Sequence, residues 1–373
     1  MPERTVIGWD IGGAHVKACM LQGGEVRDVA QWPCPLWLGM DRLDAVLNEA
    51  RARWHGMPAA RHAVTMTGEM VDLFANREDG VCRIAGELAR SLEVPAASAR
   101  DAGSLHFFAG DSGWGRVAEV PAMWDAIASA NWLATARHAA LRFDTGVLVD
   151  IGSTTTDLIA FRHGRVLAPD RTDAQRLASG ELVYHGVVRT PLCALAHRID
   201  WRGTPHNVMN EFFATTADVY RLTGELDPAH DQHPSADNAP KDLDATRQRL
   251  ARMIGLDRRD ASDNEWLAFA HRWRAAQVTL LAAEMRRVTL MHGLDEEAVI
   301  VSAGCGAFLV GDVLAQAAAG DRLPQRPAHR QLAYGRDVAR ISAHADADRR
   351  AMQDWAQVCA PSVAVAALFD MDQ

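Results

Sequence analysis

The sequence predicts an α/β protein built from two related halves, and three observations support this. Residues 8–13 (GWDIGG) recur without a gap as residues 148–153 (LVDIGS), so that Asp10 aligns with Asp150. Farther on, Gly24 aligns with Gly164 in the same register. Each copy therefore indicates a strand, an acidic-glycine turn, a strand, a glycine turn and a third strand. Outside the copies, strand-like and helix-like segments alternate, which is typical of α/β folds.

In the first half, short apolar runs predict strands and helical spacing predicts helices. Apolar residues recur at helical spacing between residues 36 and 54, after Pro33 and Pro35 have ended the strand pattern. The predicted strands are residues 5–9, 16–21, 25–30, 62–66 and 117–121. The predicted helices are residues 36–54, 80–92 and 123–139, and residues 69–75 could open a further helix.

In the second half the alternation is less regular. The second copy begins at Thr145, and residues 182–188 form an apolar, strand-like run. Helices are predicted at residues 207–221, 244–254, 263–292 and 308–318, and a buried strand at residues 299–302. Residues 227–244 are rich in Asp, His, Pro and Asn, which indicates a long loop. The apolar stretch 362–369 is expected to pack back on the body of the protein.

Composition excludes several classes of protein. The 373 residues suffice for two domains, and the 48% apolar and 23% charged fractions are those of a globular protein. A formal net charge of −9 argues against nucleic-acid binding. No apolar run approaches a membrane span, and a strand follows the N-terminus too closely for a signal peptide, so we expect a cytoplasmic protein.

Six cysteines without a CxxC pair predict reduced, buried thiols. Cys305 is the exception to watch, because it lies within a glycine loop.

The two turns carry the residues that bear chemistry. Glycine at Gly12, Gly13 and Gly152 lets backbone N–H groups approach an anion without a Cβ in the way. The strand-end acids Asp10 and Asp150 are well placed to hold a cation, directly or through water. Two such hairpins facing each other would clamp a phosphate and a metal ion, which predicts a phosphorylated small-molecule substrate.

Other residues of the turns have two interpretations. The hydroxyls of Ser153, Thr154 and Thr155 suit a phosphate, although threonine also suits a turn for conformational reasons alone. His15 is more often a hydrogen-bonded structural residue than a catalyst, and we count it as a phosphate or substrate ligand.

A third turn follows the strand predicted at residues 299–302. Gly304 and Gly306 form the turn that joins this strand to the N-terminus of the helix 308–318, where free N–H groups favour anions. A lone Gly-x-Gly is weak evidence, but its position after two Asp-x-Gly hairpins strengthens it.

These three motifs resemble the two phosphate motifs and the nucleoside-side motif of the actin, sugar kinase and Hsp70 superfamily. The resemblance implies two ribonuclease H-like domains that face each other across a cleft. The first would comprise residues 1–142, completed by residues 355–373; the second would comprise residues 143–354, with a helical insertion around residues 195–292. The stretches 150–157 and 180–191 resemble the hydantoinase A and oxoprolinase branch.

A narrower resemblance rests on residues 9–17 (WDIGGAHVK), 67–70 (TGEM), 77–81 (REDGV) and 184–191. These stretches are similar to the methanofuran-biosynthesis synthases (MfnF-like) of tetrahydromethanopterin-linked one-carbon transfer. The resemblance implies that an (aminomethyl)furan-methyl diphosphate is joined to the phenol oxygen of tyrosine, tyramine or a glutamyl derivative, with release of pyrophosphate. Gly68 departs from the alanine expected in that family.

The departing pyrophosphate would need a divalent cation, and Asp10 and Asp150 are the expected Mg²⁺ ligands. Lys17 either grips the diphosphate or points to solvent. Asp157 either removes the phenolic proton or pairs with Lys17. Trp9 could stack on a substrate ring. Weaker candidates for a place in the cleft are Glu69, Asn131 and Glu181.

Two other classes of function stay open. An ATP-dependent small-molecule kinase or hydantoinase/oxoprolinase-like hydrolase would use a nucleoside pocket beside Gly304 and Gly306. A non-catalytic sensor of the same fold ranks last, because no basic DNA-binding extension is present. The expected partners are small-molecule substrates, without nucleic acid or membrane, and the oligomeric state is left open, a homodimer included.

Overall fold

The computed structural model describes residues 4–55, 57–93, 104–168, 172–295, 297–319, 329–342 and 346–373. Within them the strands are β1 (Thr5–Ile11), β2 (His15–Gln22), β3 (Glu25–Pro33), β4 (Arg61–Met66), β5 (Leu105–Phe108), β6 (Trp114–Arg116), β7 (Thr145–Ile151), β8 (Thr156–Arg162), β9 (Arg165–Val166), β10 (Leu182–Val183), β11 (Arg198–Trp201), β12 (Thr204–Asn207), β13 (Val299–Ala303) and β14 (Gln331–Ala333). The α-helices are α1 (Asp41–Arg53), α2 (Arg77–Ser91), α3 (Val120–Ile127), α4 (Asn131–Ala140), α5 (Asp173–Ser179), α6 (Leu192–Leu195), α7 (Thr216–Thr223), α8 (Leu243–Arg252), α9 (Asp263–Met291), α10 (Val310–Ala319), α11 (Asp346–Val358) and α12 (Ala360–Met371). The alternation of strands and helices confirms the predicted α/β class.

The chain divides into two compact units. The first comprises residues 1–146, 161–166 and 332–373, and the second comprises residues 147–160 and 167–331. Residues 332–354, assigned to the second domain from sequence, thus group with the first unit. Two contacts explain this: Val26 forms a parallel bridge with Ile341, and α11 packs against β3.

The first unit contains a six-stranded sheet in the order β3-β2-β1-β4-β5-β6. β1, β2 and β3 form the predicted antiparallel meander, and β4 pairs parallel with both β1 and β5. β6 closes the edge antiparallel to β5. The parallel strands bring the carboxyl ends of β1 and β4 to one edge, where the first glycine turn follows β1.

Alternation along β1 divides the side chains between two faces of this sheet. Ile7, Trp9 and Ile11 enter an apolar core that also contains Leu43 and Ile84 of α1 and α2. α12 packs against β1, β2 and β4, which confirms that the apolar C-terminal stretch packs back on the body. Gly8 permits this approach, because a Cβ there would lie 2.1 Å from the carbonyl oxygen of Ser362.

The second unit has its own sheet, which contains β10, β8, β7 and β13 in that order. Its core is filled largely from the long helix α9. A capping box at Ser262 and Glu265 starts this helix, and Trp266, Phe269 and Trp273 follow at helical spacing and are fully buried. The helix predicted at residues 263–292 is therefore confirmed almost to the residue.

Several predicted elements are wrong, and capping contacts or the backbone conformation at a break account for them. Residues 117–119 form a 3-10 turn rather than a strand, because the Glu119 carboxylate accepts a hydrogen bond from the Arg116 N–H and starts a helix. The predicted helix 123–139 is two helices separated at Ser129, whose φ is +51°. The predicted helix 207–221 begins only at residue 216, where Thr215 and Asp218 form a capping box.

The apolar run 182–188 is also not one strand. Only Leu182–Val183 pair with β8, and the chain then turns at Gly186. Its aliphatic residues are buried beside a turn, although Tyr184 is exposed. The apolar pattern of the sequence therefore resembled that of a buried strand. Elsewhere among the described residues, no helix is both long enough and apolar enough to span a membrane.

We predict that His62 makes the first unit sensitive to acid. Burial lowers the pKa of His62 from its ordinary 6.5 to about 4, and its Nδ1 accepts a hydrogen bond from Trp9 Nε1 at 3.1 Å. Because the folded pKa is depressed, the stabilisation is present above pH 6.5 and is lost as the pH falls towards 4. The contribution is on the order of 3 kcal/mol.

The test is the free energy of unfolding by urea between pH 7 and pH 5. In His62→Gln, whose amide oxygen can still accept from Trp9, we expect a flatter pH profile than in the wild type. His163→Gln is the control, since the His163 side chain is 76% exposed. An unchanged slope in His62→Gln would contradict the assignment.

Candidate functional site

The two acidic-glycine turns close with the same backbone hydrogen bond. In the first unit, the Gly12 N–H donates to the carbonyl oxygen of His15 at 2.9 Å. In the second, the Gly152 N–H donates to the carbonyl oxygen of Thr155 at 2.8 Å. These are equivalent positions of the two sequence copies, so the repeat in sequence is also a repeat in backbone geometry.

In the first unit, Asp10 belongs to a polar row that crosses four strands. The register places Asp10 opposite Lys17 on β2 and opposite Thr65 on β4, and Lys17 opposite Gln31 on β3. Side chains paired across strands lie on the same face of a sheet, so these four lie side by side. Asp10 is 4% exposed and Thr65 fully buried, whereas Lys17 and Gln31 are half-buried. The structure therefore brings the predicted residues Asp10 and Lys17 together.

The N-terminus of α12 lies on the same face as this row. Gly8 and Asp10 are two residues apart on β1, and Gly8 contacts Ser362 in the first turn of α12. Near the other end of the helix, Asp370 pairs with Arg4, just before β1, at 3.7 Å. The helix thus runs antiparallel to β1 with its positive end towards Asp10, which favours negative charge there.

The first turn is covered by the segment that follows β4. The Thr67 N–H donates to the carbonyl oxygen of Ile11 at 2.9 Å, and a Cβ on Gly68 would lie 3.1 Å from that same oxygen. A Cβ on Gly13 would lie 2.7 Å from Val71 Cγ1. The glycine at residue 68, where alanine was expected, thus occupies a position with little room for a side chain. His15 is 7% exposed beneath this covering.

Glu69 follows Gly68 and forms a buried polar cluster in the first unit. Its Oε1 accepts hydrogen bonds from Ser129 Oγ at 2.8 Å and from Arg77 Nη2 at 3.3 Å. Arg77 Nη2 also donates to Ser129 Oγ at 2.7 Å. Burial raises the pKa of Glu69, and the hydrogen bonds from Ser129 and Arg77 only partly offset this. Glu69 was a weak candidate from sequence, and neither Arg77 nor Ser129 was a candidate.

In the second unit, the turn at residues 152–155 is covered by Gly186. A Cβ on Gly186 would lie 2.4 Å from the Thr154 nitrogen and 2.5 Å from the Gly152 oxygen. The carbonyl oxygen of Gly186 accepts hydrogen bonds from the side chains of Thr190 (3.2 Å), Thr216 (3.0 Å) and Gln277 (3.0 Å). This buried network fixes the turn through backbone contacts.

Arg189 is the functional candidate that sequence reasoning missed. Its N–H donates to the Ser153 carbonyl oxygen at 2.8 Å, and its Nη1 donates to Thr154 Oγ1 at 3.4 Å. Burial lowers the pKa of the Arg189 guanidinium, although arginine stays charged at neutral pH. A partly buried cation beside the hydroxyls of Ser153 and Thr154 suits an oxoanion. Arg189 lies within the stretch 184–191 that carried the family resemblance, but only its hydrogen bonds to residues 153 and 154 place it beside the turn.

Asp157 is held by a charge within the second unit. Its carboxylate accepts a hydrogen bond from Arg176 Nη2, and the Arg176 side chain is 1% exposed. Arg176 also lies 3.8 Å from Asp173. The predicted alternatives for Asp157 were a general base or a partner of Lys17, and the structure supplies a buried arginine as its partner.

The third glycine turn meets the end of β7. The Gly306 N–H donates to the Ile151 carbonyl oxygen at 2.8 Å, and a Cβ on Gly304 would lie 2.5 Å from Asp150 Oδ1. Gly304 has a φ of +82°. The structure therefore brings Asp150, Gly152, Gly304 and Gly306 together in one unit.

Other candidates have structural partners. Trp9 is fully buried, contacts Trp54 edge-on and donates to His62, so it does not stack on a ligand. Glu181, also fully buried, accepts from Ser179 Oγ at 3.0 Å and lies 3.0 Å from His292 Nε2. Asn131 Oδ1 accepts from the next backbone N–H of α4 at 2.7 Å.

The six cysteines form no disulfide, as predicted. Only half of them are buried, namely Cys19, Cys34 and Cys359, while Cys82, Cys193 and Cys305 are partly exposed.

Within each unit, the acidic residue of the turn has oxygen donors of the kind that Mg²⁺ binds. In the described part of the chain no three His, Cys, Asp or Glu residues cluster as a metal cage. Mg²⁺ commonly binds one or two carboxylates together with substrate phosphates and water. Asp10 and Asp150 each place a carboxylate beside a glycine turn, with the Thr65 hydroxyl next to Asp10 in register. These are hard oxygen donors suited to Mg²⁺.

We predict that Gly304→Ala destabilises the second unit well beyond the effect of its φ. An alanine at positive φ costs about 1–2 kcal/mol, and here its Cβ would also lie 2.2 Å from the Ile151 oxygen. Gly203→Ala is a matched control, because Gly203 has a φ of +79° and nothing lies within 4 Å of its Cβ position. Urea unfolding of both variants is the measurement; equal losses of stability would contradict the close packing against β7.

Comparisons with known proteins agree with this geometry. The hydantoinase/oxoprolinase family profile matches residues 62–344. A "(4-{4-[2-(gamma-L-glutamylamino)ethyl]phenoxymethyl}furan-2-yl)methanamine synthase" of Methanocaldococcus jannaschii is 28% identical over 310 residues, which are 83% of this chain and 88% of that protein. A synthase of the same name from Methanococcus vannielii is 31% identical over 170 residues, which are 46% of this chain and 75% of that protein.

Solved structures show the fold. An acetone carboxylase in its nucleotide-free form superposes with a TM-score of 0.50 at 11% identity, over 82% of this chain and 66% of that one. A ROK family glucokinase from Streptomyces griseus has a TM-score of 0.47 at 11% identity, over 98% of both chains. The chain shares the α/β fold of the acetone carboxylase, and the resemblance to the methanofuran-biosynthesis synthases is confirmed. The chain belongs to the hydantoinase/oxoprolinase family.

Proposed function

We propose that the chain is a Mg²⁺-dependent transferase of methanofuran or methylofuran biosynthesis. It would condense an (aminomethyl)furan-methyl diphosphate with the phenol oxygen of tyrosine, tyramine or a glutamyl derivative, and release pyrophosphate. One observation carries the proposal: the Methanocaldococcus jannaschii synthase, similar over 83% of this chain, is named for a product with a phenoxymethyl-furan ether. That ether is the bond which the proposed reaction forms.

The reaction balances without an oxidant or reductant. The phenol oxygen forms a bond to the methylene carbon of the furan, and the bond from that carbon to the diphosphate oxygen breaks. The electron pair leaves with the pyrophosphate, and the phenolic proton passes to a base or to water. Mg²⁺, when bound, offsets the charge of the leaving pyrophosphate.

In the second unit, we assign the diphosphate to the turn at residues 152–155. The Ser153 and Thr154 hydroxyls and the Arg189 guanidinium are adjacent donors, and the closed turn supports them. Asp150 would hold Mg²⁺ directly or through water. Because charge-assisted hydrogen bonds strengthen as negative charge develops, these donors favour departure of the pyrophosphate.

In the first unit, Asp10 is the corresponding acidic residue and Lys17 its neighbour in the polar row. Asp10 is proposed as a Mg²⁺ ligand, and Lys17 as the fixed positive charge beside the first turn. Asp157 is less suited to act as a base than sequence indicated, because its carboxylate already accepts a hydrogen bond from the buried Arg176.

The second candidate function is ATP-dependent, either a small-molecule kinase or a hydantoinase/oxoprolinase-like hydrolase. The contact of Gly304 and Gly306 with the Asp150 end of β7 favours it, since a glycine turn before a helix also suits a nucleotide. We rank it second because the named relatives make an ether rather than hydrolyse an amide.

The first test is pyrophosphate release by the purified protein with Mg²⁺, the furan diphosphate and tyrosine or glutamyl-tyramine. We expect release only when both substrates are present, and a loss of about 100-fold or more in Asp10→Asn. Removal of Mg²⁺ with EDTA should abolish release. ATP consumption in an ATP-only control, without furan chemistry, would instead support the second candidate.

Arg189 gives a sharper prediction for the diphosphate. In Arg189→Ala we expect affinity for Mg²⁺-pyrophosphate, measured by calorimetry, to fall about 10- to 100-fold, because a charge-assisted hydrogen bond is lost. Arg259→Ala is the control, since the Arg259 side chain is 85% exposed. Equal affinities in the two variants would remove Arg189 from the site.

A further inference from the structure

A cluster beside the first glycine turn is not used by the reaction as described. It consists of Glu69, Arg77 and Ser129, and we call it the Glu69 cluster. The Glu69 side chain is fully buried, whereas the Arg77 side chain is 30% exposed. A buried ion pair contributes little to stability, because desolvation offsets the attraction between the charges. Its presence therefore calls for a role other than stability.

The backbone of Ser129 is strained to complete the cluster. Ser129 has a φ of +51°, a conformation that costs a residue with a Cβ about 1–2 kcal/mol. In this conformation its hydroxyl lies between the other two members, donating to Glu69 Oε1 and accepting from Arg77 Nη2. Strain of this kind is concentrated at functional sites, where it holds a group in place.

The group that is held in place is the guanidinium of Arg77. Glu69 cannot itself touch a ligand without rearrangement, because its side chain is fully buried. Arg77 extends from that buried carboxylate to the surface at the start of α2. Because Nη2 donates to both Glu69 and Ser129, the plane of the guanidinium is fixed, and a fixed planar guanidinium suits recognition of a carboxylate.

The surface near the Glu69 cluster suits an aromatic compound. Leu36 packs on the turn at residues 68–70, with its Cδ2 3.0 Å from the Cβ position of Gly68. Trp37 and Leu38, which follow Leu36, are 38% and 62% exposed, and Met70 on the turn itself is 52% exposed. Apolar surface and an oriented guanidinium thus lie on neighbouring segments beside the first glycine turn.

We infer that Arg77 binds the carboxylate of the phenolic acceptor, and that Glu69 and Ser129 are the residues that position it. The inference rests on the proposed function and adds a residue to it: Arg77 would bind the carboxylate of tyrosine, or that of the glutamyl group in the relatives' printed product name, which tyramine lacks. A diphosphate suits Arg77 less well. The Glu69 carboxylate balances the charge of Arg77, whereas a diphosphate needs a net positive site.

The experiment compares acceptors that differ by one carboxylate. Binding of tyrosine and of tyramine is measured by calorimetry, and pyrophosphate release is measured with each in the same preparation. In the wild type we expect tyrosine to bind about 10- to 100-fold more tightly than tyramine. In Arg77→Gln we expect this preference to disappear through weaker tyrosine binding, with tyramine binding and kcat unchanged.

Arg83→Gln is the matched control, because Arg83 lies on the same helix, is 43% exposed and contacts Asp79, the Leu73 carbonyl oxygen and the Phe74 ring. Ser129→Gly relieves the backbone strain and removes the hydroxyl; we expect a higher KM for tyrosine at unchanged kcat. If Arg77→Gln does not fold, Arg77→Lys retains the charge without the planar fork and is expected to lose the same preference.

Three results for Arg77→Gln would overturn the inference. The variant could still bind tyrosine more tightly than tyramine, or it could lose the same affinity for both acceptors. It could also bind the furan diphosphate more weakly while its affinity for tyrosine stays unchanged. The proposed function fails separately, if no acceptor leads to pyrophosphate release in the wild type. Calorimetry decides the role of Arg77 even then, since it measures binding without turnover.

Discussion

Close approach of one backbone to another is the constraint on which both acidic-glycine turns depend. Each acidic-glycine turn closes on itself through an N–H of glycine, and each is then covered by a second glycine from elsewhere in the same unit. Gly68 covers the first turn and Gly186 covers the second. A Cβ at Gly186 would lie 2.4 Å from the Thr154 nitrogen, so the second turn would have to move, whereas a Cβ at Gly68 would require its neighbours to shift by only about a few tenths of an ångström. The turns can therefore present N–H groups and carboxylates in fixed positions.

Buried polar contacts determine which of the charged residues can take part in chemistry. Arg176 pairs with Asp157, and His292 pairs with Glu181. These two carboxylates therefore make structural contacts within the second unit. The Gly186 carbonyl, with three donors around it, anchors the covering segment that carries Arg189. The hydroxyls of Ser153 and Thr154 and the guanidinium of Arg189 lie together at this turn, and such donors suit an oxoanion.

The first unit has a different distribution of charge. Its turn is flanked on one side by the polar row of Asp10 and Lys17, and is covered on the other by the segment that carries Glu69 and leads to Arg77. The row combines a carboxylate with an ammonium beside a helix N-terminus, which suits a metal-bound phosphate. The Glu69 cluster has an oriented guanidinium and nearby apolar side chains, which suits a carboxylated aromatic compound. The two surfaces thus favour chemically different parts of the proposed substrates.

The sequence by itself determined what depends on local patterns: the duplicated turn, the meander after Asp10, the long helix α9 with its capping box, and the family. Tertiary structure alone decided the partners of the charged groups. Arg176 lies 19 residues from Asp157, and Ser129 lies 60 residues from Glu69, so no local pattern could pair them. The helix break at Ser129 could not be predicted from sequence either, because its strained backbone is maintained by contacts with Glu69 and Arg77, which are remote in sequence.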